Sequence, residues 1–428
     1  MNPVILICTV GGSHEPILTA LRQTTPDFVC FICTDRDPAT GRPGSDVQIV
    51  GKGSCIKARP GDDKPTLPNI PTQAGLRDDH YEVIHVPADD LDEVFRILCA
   101  AIQRLGQRFP NGQLLADYTG GTKTMTAGLV SAALESDGVA LQLVTGSRAD
   151  LIKVRSGMEM VTQANVERVR LERAMRPYVA AWRRFAYAEA YQGLAGLARP
   201  RDSALAARLA LLRDLSRGLD AWDRFDHVTA LAALEPYRPR IGAEWKALLM
   251  ALKWLTTKDE IQEPARLLDL WRNAERRAAQ GRFDDAVARV YRLLEWSAQG
   301  LLRTRSGIDT GDVQAAQVPP EMNLTPNAKG RIQVGLMVAW EMLAHYQPDS
   351  PAGGFIRAEK NVLLNWLKIR NESILAHGFQ PVAENDWRPL VEWVKTRFLP
   401  ALLQEVAVVR IRELPPQLPE LPELPLGE

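Results

Sequence analysis

Net charge is what this chain lacks first: 52 lysines and arginines are balanced by 52 aspartates and glutamates over 428 residues. That balance gives no global field to draw in a polyanion or an anionic membrane surface, so any contact with nucleic acid has to be local. Cysteine is scarce and confined. All five (Cys8, Cys30, Cys33, Cys55, Cys99) fall within the first hundred residues, four of them in expected strands or helices, where buried thiols are common. Cys30 and Cys33 share an expected strand but face opposite sides, which argues against a metal knuckle or a redox pair. This usage fits a reducing cytoplasm. No apolar run is long enough to span a membrane. The apolar start at Val4 is too short, and lacks the basic flank, of a signal peptide. Metal-ligand patterns are missing too: no HExxH, no paired Cys-x-x-Cys knuckle and no Asp-x-Asp cluster near the candidate catalytic residues below.

What is present in the first half is an alternation of buried strands and helices. Apolar runs at 4–10, 28–34, 81–86, 113–118 and 139–144 read as strands. Helices are expected at 16–21, 92–109 and 124–135. That order predicts an α/β domain with a parallel sheet, in which ligands gather at the carboxyl ends of the strands. Two glycine turns fall on that edge. Gly11-Gly12-Ser13-His14-Glu15-Pro16 follows the first strand, with Pro16 suited to a first helical turn. Thr119-Gly120-Gly121-Thr122-Lys123 joins a strand to a helix, so free backbone N–H groups and a helix N-terminus face outward, as an anion site requires. Gly120 and Gly121 permit close approach; Lys123 adds charge and the threonines add hydroxyl donors. The loop is not a Walker A motif, because Thr122 precedes the lysine where glycine belongs, so ATP hydrolysis is disfavoured. The alternative is a tight strand-to-helix turn with a solvated lysine. Asp35 ends the strand 28–34 on the same edge. Residues 36–80, rich in proline, glycine, aspartate and lysine, read as a long insertion or lid.

Beyond about residue 157 strand signals stop, and helices are expected at 164–191, 203–222, 228–234, 241–255, 264–303 (with a break near 281–284), 332–346, 355–375 and 387–409. Asp284 is placed to cap the helix that follows the break. The last residues, 413–428, repeat leucine, proline and glutamate, which argues for extended or disordered chain rather than helix. The domain limits this implies are 1–160, 161–260, 261–412 and the tail 413–428.

The segment Arg370-Asn371-Glu372-Ser373-Ile374-Leu375-Ala376-His377-Gly378 carries the chemistry. On a helix ending near Gly378, Arg370 and His377 nearly eclipse, about 10 Å apart along the axis. Arginine offers a fixed fork of donors for phosphate oxygens, and histidine moves a proton near neutral pH. Asn371 can position water or a ribose hydroxyl. With no metal motif at hand, RNA is the substrate this set suits, because its own 2′-hydroxyl attacks the adjacent phosphorus and DNA has no such group. The competing reading is a solvated polar pair at a helix end.

These segments together resemble the CRISPR-associated ribonucleases that join an N-terminal CARF domain to a C-terminal HEPN domain. Thr9-Val10-Gly11-Gly12-Ser13-His14-Glu15-Pro16-Ile17 is similar to the family's first CARF loop, and Asp117 through Met125 to its second. Arg370-Asn371 through His377 fits the HEPN pattern of an arginine, four to six residues beginning with a polar one, and a histidine. Gly281 through Glu295 resembles an earlier HEPN helix. The resemblance implies a Rossmann-like CARF domain, a helical connecting region and a HEPN bundle. It implies a homodimer that binds a cyclic oligoadenylate activator across its two-fold axis, and two HEPN domains forming one composite site that cleaves single-stranded RNA without a metal and leaves a 2′,3′-cyclic phosphate. Carried over, Thr9, Gly11, Gly12, Ser13, Asp35, Thr119, Gly120, Gly121, Thr122 and Lys123 contact the ligand, while Arg370 and His377 are catalytic and Asn371 supports them. A non-catalytic nucleotide-sensing dimer and a CARF-type transcription regulator are the alternatives; no recognition helix with a basic face stands out for the second.

Overall fold

The structure, a computed structural model, describes residues 2–36, 41, 43–50, 67–148, 154–242 and 244–421. They form two compact units, Met1–Arg170 and Leu171–Glu428.

The first unit is a six-stranded sheet: β1 (Val4–Thr9), β2 (Phe28–Thr34), β3 (Tyr81–Val86), β4 (Gln113–Asp117), β5 (Val139–Arg148) and β6 (Val154–Gln163). Spatial order is β3-β2-β1-β4-β5-β6. All neighbours are parallel except β5 and β6, which are antiparallel. The order reverses between β1 and β4, so the turns after these two strands flank the topological switch point, where open α/β sheets bind ligands. The unbroken apolar runs have a direct cause, since both faces of the central strands are covered. Ile5, Ile7, Cys30 and Ile32 face one layer, with Val94 and Leu98 of α3 (Leu91–Arg108) and Leu129 of α4 (Lys123–Glu135). Leu6, Cys8, Phe31 and Cys33 face the other, with Ile17 and Leu18 of α1 (Glu15–Thr24) and Ile70 of the short α2 (Ile70–Ala74). Cys30 and Cys33 therefore point to opposite faces.

β6 corrects the expectation that strands end near residue 157. It is an edge strand with Arg155, Ser156, Glu159 and Thr162 interleaved among apolar residues, and its pairing with β5 supplies the order that local pattern does not. The described part of the 36–80 insertion folds back on β2: the Thr34 N–H donates to Ser45 Oγ (2.9 Å), the Ser45 N–H donates to Thr34 Oγ1 (3.0 Å), and Asn69 caps α2 while its amide donates to the Ile49 carbonyl (2.9 Å). Residues 37–40, 42 and 51–66 of that insertion lie outside the described residues.

The second unit is helical: α5 (Glu167–Ala180), whose first residues belong to the first unit, α6 (Tyr187–Gly196), α7 (Ser203–Asp223), α8 (His227–Leu234), α9 (Glu244–Thr256), α10 (Gln262–Ala279), α11 (Phe283–Ser306), α12 (Leu336–Tyr346), α13 (Pro351–Glu372), α14 (Glu384–Trp393) and α15 (Leu399–Val406), with a π-helical turn, Val394–Phe398, between the last two. The helix expected at 164–191 is broken at Phe185, whose φ of 56° is left-handed. No glycine marks that break. Gly281, with φ 72°, makes the break before α11. Asp284 does not cap α11: it lies inside the first turn, and its carboxylate accepts the Val382 N–H (3.2 Å).

One apolar core runs from Ala181 to Leu418, so the middle and C-terminal helices are packed as one body. Tryptophans dominate it. Trp182, Trp222 and Trp340 are fully buried, and each indole N–H finds an acceptor: Ser216 Oγ (2.9 Å), Asp269 Oδ1 (3.1 Å) and the Leu294 carbonyl (3.1 Å). A buried polar cluster crosses the same core. Asp223 accepts from Asn273 Nδ2 (3.0 Å) and Arg276 Nε (2.7 Å) and pairs with Arg277. The described tail, through Leu421, is extended and docked. Ile411 and Leu418 are buried, Arg276 donates to Gln417 Oε1 (2.7 Å), and the Tyr187 hydroxyl donates to the Pro419 carbonyl (2.8 Å).

Candidate functional site

In the first unit the two glycine turns touch through their backbones. Thr9, the buried last residue of β1, donates through Oγ1 to the Gly120 carbonyl (2.6 Å). A Cβ on Gly120 would stand 2.5 Å from the Thr9 carbonyl oxygen, and one on Gly11 would stand 2.7 Å from the Gly121 nitrogen. Only glycine fits at either place, and Gly121 has φ +86° as well. Gly12 is different: nothing lies within 4 Å of its would-be Cβ, and it and Ser13 are exposed. Thr122 caps α4, accepting the Met125 N–H (3.1 Å) and donating to the Ala88 carbonyl (2.8 Å). Lys123, the first residue of α4, is exposed.

Two residues of this edge are turn-formers. Asp117 is buried, and its carboxylate accepts the Thr119 N–H (3.0 Å) and the Gln142 amide (3.1 Å). Thr119 Oγ1 accepts the Val144 N–H (2.7 Å). Asp35 lies one residue past β2 and 3.3 Å from His85 Nε2, with Asp46 3.7 Å from the same nitrogen. Sequence reading did not anticipate this trio. The parallel pairing of Cys33 with His85 and Thr34 with Val86 carries the signal, because it sets His85 beside the end of β2.

In the second unit Arg370 sits in the last turn of α13. This helix is fixed by Phe355 against Trp340 and Phe398, and by Trp393, whose indole donates to Glu359 Oε2 (2.8 Å). The helix ends at Glu372 rather than near Gly378, so Arg370 and His377 do not share a helical face. The chain instead turns back over the helix end. Ser373, buried, donates through Oγ to the Arg370 carbonyl (2.8 Å), the His377 N–H donates to the Asn371 carbonyl (3.2 Å), and the Gln380 N–H donates to the Glu372 carbonyl (3.0 Å). These bonds occupy carbonyls that a helix end leaves open. Gly378 is required by that fold-back, since a Cβ there would lie 1.9 Å from the Glu372 carbonyl oxygen. The three candidate residues are thus gathered by capping of α13 and not by helical periodicity.

The Arg370 guanidinium carbon stands 4.1 Å from the centroid of the Tyr291 ring of α11, and its Nη1 donates to Asn371 Oδ1 (3.1 Å). Burial, and then the negative charge of Glu295, push the Tyr291 hydroxyl above its ordinary pKa, against the pull of Arg370 and Arg292. Asn371 and His377 are exposed. Around them Ile374, Leu375 and Phe379 are exposed too, Phe379 to 91%.

Residues 257–398 match the family model described as the Csm6 HEPN domain. The chain is similar in structure to Enterococcus italicus Csm6 bound to cyclic hexa-2′-fluoro-hexa-dAMP, over 95% of this chain and 94% of that one, at 12% identity and a TM-score of 0.56. At that identity the likeness speaks to the fold. A second likeness, to Can2 from Sulfobacillus thermosulfidooxidans in complex with cyclic tetra-adenylate, covers 76% of this chain and 72% of that one at 14% identity; its TM-score of 0.22 supports no argument. No curated protein sequence matches the chain. The chain thus combines a mostly parallel sheet with paired glycine turns and a helical unit in which residues 257–398 match the Csm6 HEPN domain. No described helix is long and apolar enough to cross a membrane.

Proposed function

We propose that this chain is a homodimeric endoribonuclease of type III CRISPR antiviral defence, activated by a cyclic oligoadenylate and cutting single-stranded RNA without a metal. The observation that carries this reading is the gathering of Arg370, Asn371 and His377 at one helix end, inside the segment that matches the Csm6 HEPN domain. Residues 1–160 are the sensor, 161–260 the connecting helices and 261–412 the nuclease.

In the sensor, the turn of Gly11, Gly12 and Ser13 and the turn from Thr119 to Lys123 flank the switch point and offer the N–H groups of Gly12, Gly120 and Gly121, the Ser13 hydroxyl and Lys123 to the ligand's phosphates, while Thr119 and Thr122 hold the second turn in shape. Thr9 fixes one turn against the other, and Asp35 stands on the same edge. The ligand shifts the protein only by binding the active dimer more tightly than the resting one. In the nuclease, the RNA 2′-oxygen attacks the adjacent phosphorus and loses its proton as the bond to the 5′-oxygen breaks. Arg370 stabilises the charge that builds on the phosphoryl oxygens. His377 handles a proton, and the 5′-oxygen leaves protonated. The attacking group belongs to the substrate, so no metal-activated water is needed. The exposed Ile374, Leu375 and Phe379 support a partner copy covering this face.

Mass spectrometry of the products tests the chemistry. The reading expects a 2′,3′-cyclic phosphate on one fragment and a 5′-hydroxyl on the other. Fragments ending in a 3′-hydroxyl would overturn it, because internal attack cannot produce them.

A further inference from the structure

We infer that Tyr291 is the positioning residue for Arg370, its ring fixing the plane of the guanidinium that meets the scissile phosphate. The inference rests on the nuclease reading above and deepens it. Three observations converge. The guanidinium carbon lies 4.1 Å from the Tyr291 ring centroid, in the range of a cation–π contact. One edge of the group is tied, with Nη1 donating to Asn371 Oδ1 at 3.1 Å. Another edge is shut off, since Arg370 Nε is screened from solvent and bonded to nothing among the described residues. An arginine held by its face and one nitrogen, with its inner nitrogen enclosed, has Nη2 left for a phosphate. That restriction is what preorganisation of a charge-stabilising group requires.

The neighbours of Tyr291 leave the ring to Arg370. Arg292 pairs with Glu295 (2.7 Å), and its guanidinium carbon lies 5.4 Å from the Trp296 ring. The Tyr291 hydroxyl makes no hydrogen bond among the described residues, so the ring is what the contact uses. The α11 helix brings Tyr291 to this place. Arg370 is 79 residues further along the chain (370 − 291), which is why spacing in the sequence does not reveal the pair.

The test compares full-length wild type, Y291F, Y291L and R370A with cyclic tetra-adenylate and cyclic hexa-adenylate in turn, measuring single-turnover cleavage against RNA concentration. Loss of one cation–π contact corresponds to roughly a 3- to 30-fold loss. Y291L should lose roughly that much in maximal rate with little change in the half-saturating RNA concentration. Y291F should restore most of the rate. A second readout needs no activity. The side-chain protons of Arg370 should show a ring-current shift in NMR spectra of wild type and Y291F that is missing in Y291L. Y291L cleaving like wild type would overturn the inference and leave the nuclease reading standing. Y291F as inactive as Y291L would overturn it in favour of a role for the hydroxyl, and a missing ring-current shift in wild type would overturn it whatever the rates. An inactive wild type under both ligands would sink the nuclease reading first and this inference with it.

Discussion

Thr9 and Gly120 hold each other at the centre of the six-stranded sheet: the Thr9 hydroxyl donates to the Gly120 carbonyl at 2.6 Å, and the Thr9 carbonyl oxygen lies 2.5 Å from the point a Gly120 Cβ would occupy. The contact leaves no room for a side chain and joins the turns after β1 and β4. G120A should therefore cost about 1–3 kcal/mol of stability, as overpacking does, and abolish ligand binding as the turns separate. G12A meets open space and should keep the melting temperature of wild type while weakening ligand binding. Thermal denaturation and calorimetric titration with cyclic tetra-adenylate and cyclic hexa-adenylate check the pair. Unchanged stability in G120A would mean that the turns are not locked together.

Asp117 should behave as a structural residue. D117A strands the Thr119 N–H and the Gln142 amide, both of which it now satisfies. The expected cost is about 1–3 kcal/mol. Urea denaturation measures it, and wild-type stability in D117A would free Asp117 for a role at the ligand.

Asp223 bridges Arg276, which is fully buried and also lies 3.9 Å from Asp269 Oδ1, and Arg277. D223A leaves Arg277 without its buried carboxylate and Arg276 with only the longer contact to Asp269, and should lose about 3–5 kcal/mol. Since the core runs unbroken from Ala181 to Leu418, the helical unit should unfold in one transition in both proteins. Two separated transitions in wild type would show that the helices before residue 257 fold apart from the segment that matches the HEPN domain.

The thiols report on the sheet. Burial pushes the Cys33 thiol up to about 12, with Asp46 adding to the rise and the Ser45 hydrogen bond opposing it. Burial also raises Cys8 and Cys30 well above the usual thiol range. A raised pKa leaves less thiolate, so at pH 8 these three should resist a disulfide reagent until urea is added. Cys99 is half-buried and only moderately raised, and should react first among these four. Fast reaction of Cys33 in the native protein would contradict the packing of β2.

Much of the fold was legible because burial on both faces turns a parallel strand into an unbroken apolar run, as at Ile5 to Cys8 and Val29 to Cys33. The glycine turns were legible because close backbone approach tolerates no other residue. Three features were hidden. β6 is an edge strand whose order comes from β5 rather than from its own pattern. The end of α13 is masked because Ile374 and Leu375 continue the apolar spacing past it, yet both are exposed and the chain has already turned at Ser373. Tyr291 and Arg370 meet through packing of α11 against α13, which no local spacing encodes.

The most direct measurement is cleavage of labelled single-stranded RNA in EDTA, with cyclic tetra-adenylate or cyclic hexa-adenylate, by wild type and H377A. The account predicts cleavage that requires one of the two rings, persists in EDTA and is lost in H377A. Tight binding of a ring with the RNA left intact would contradict it and identify a sensor without catalysis.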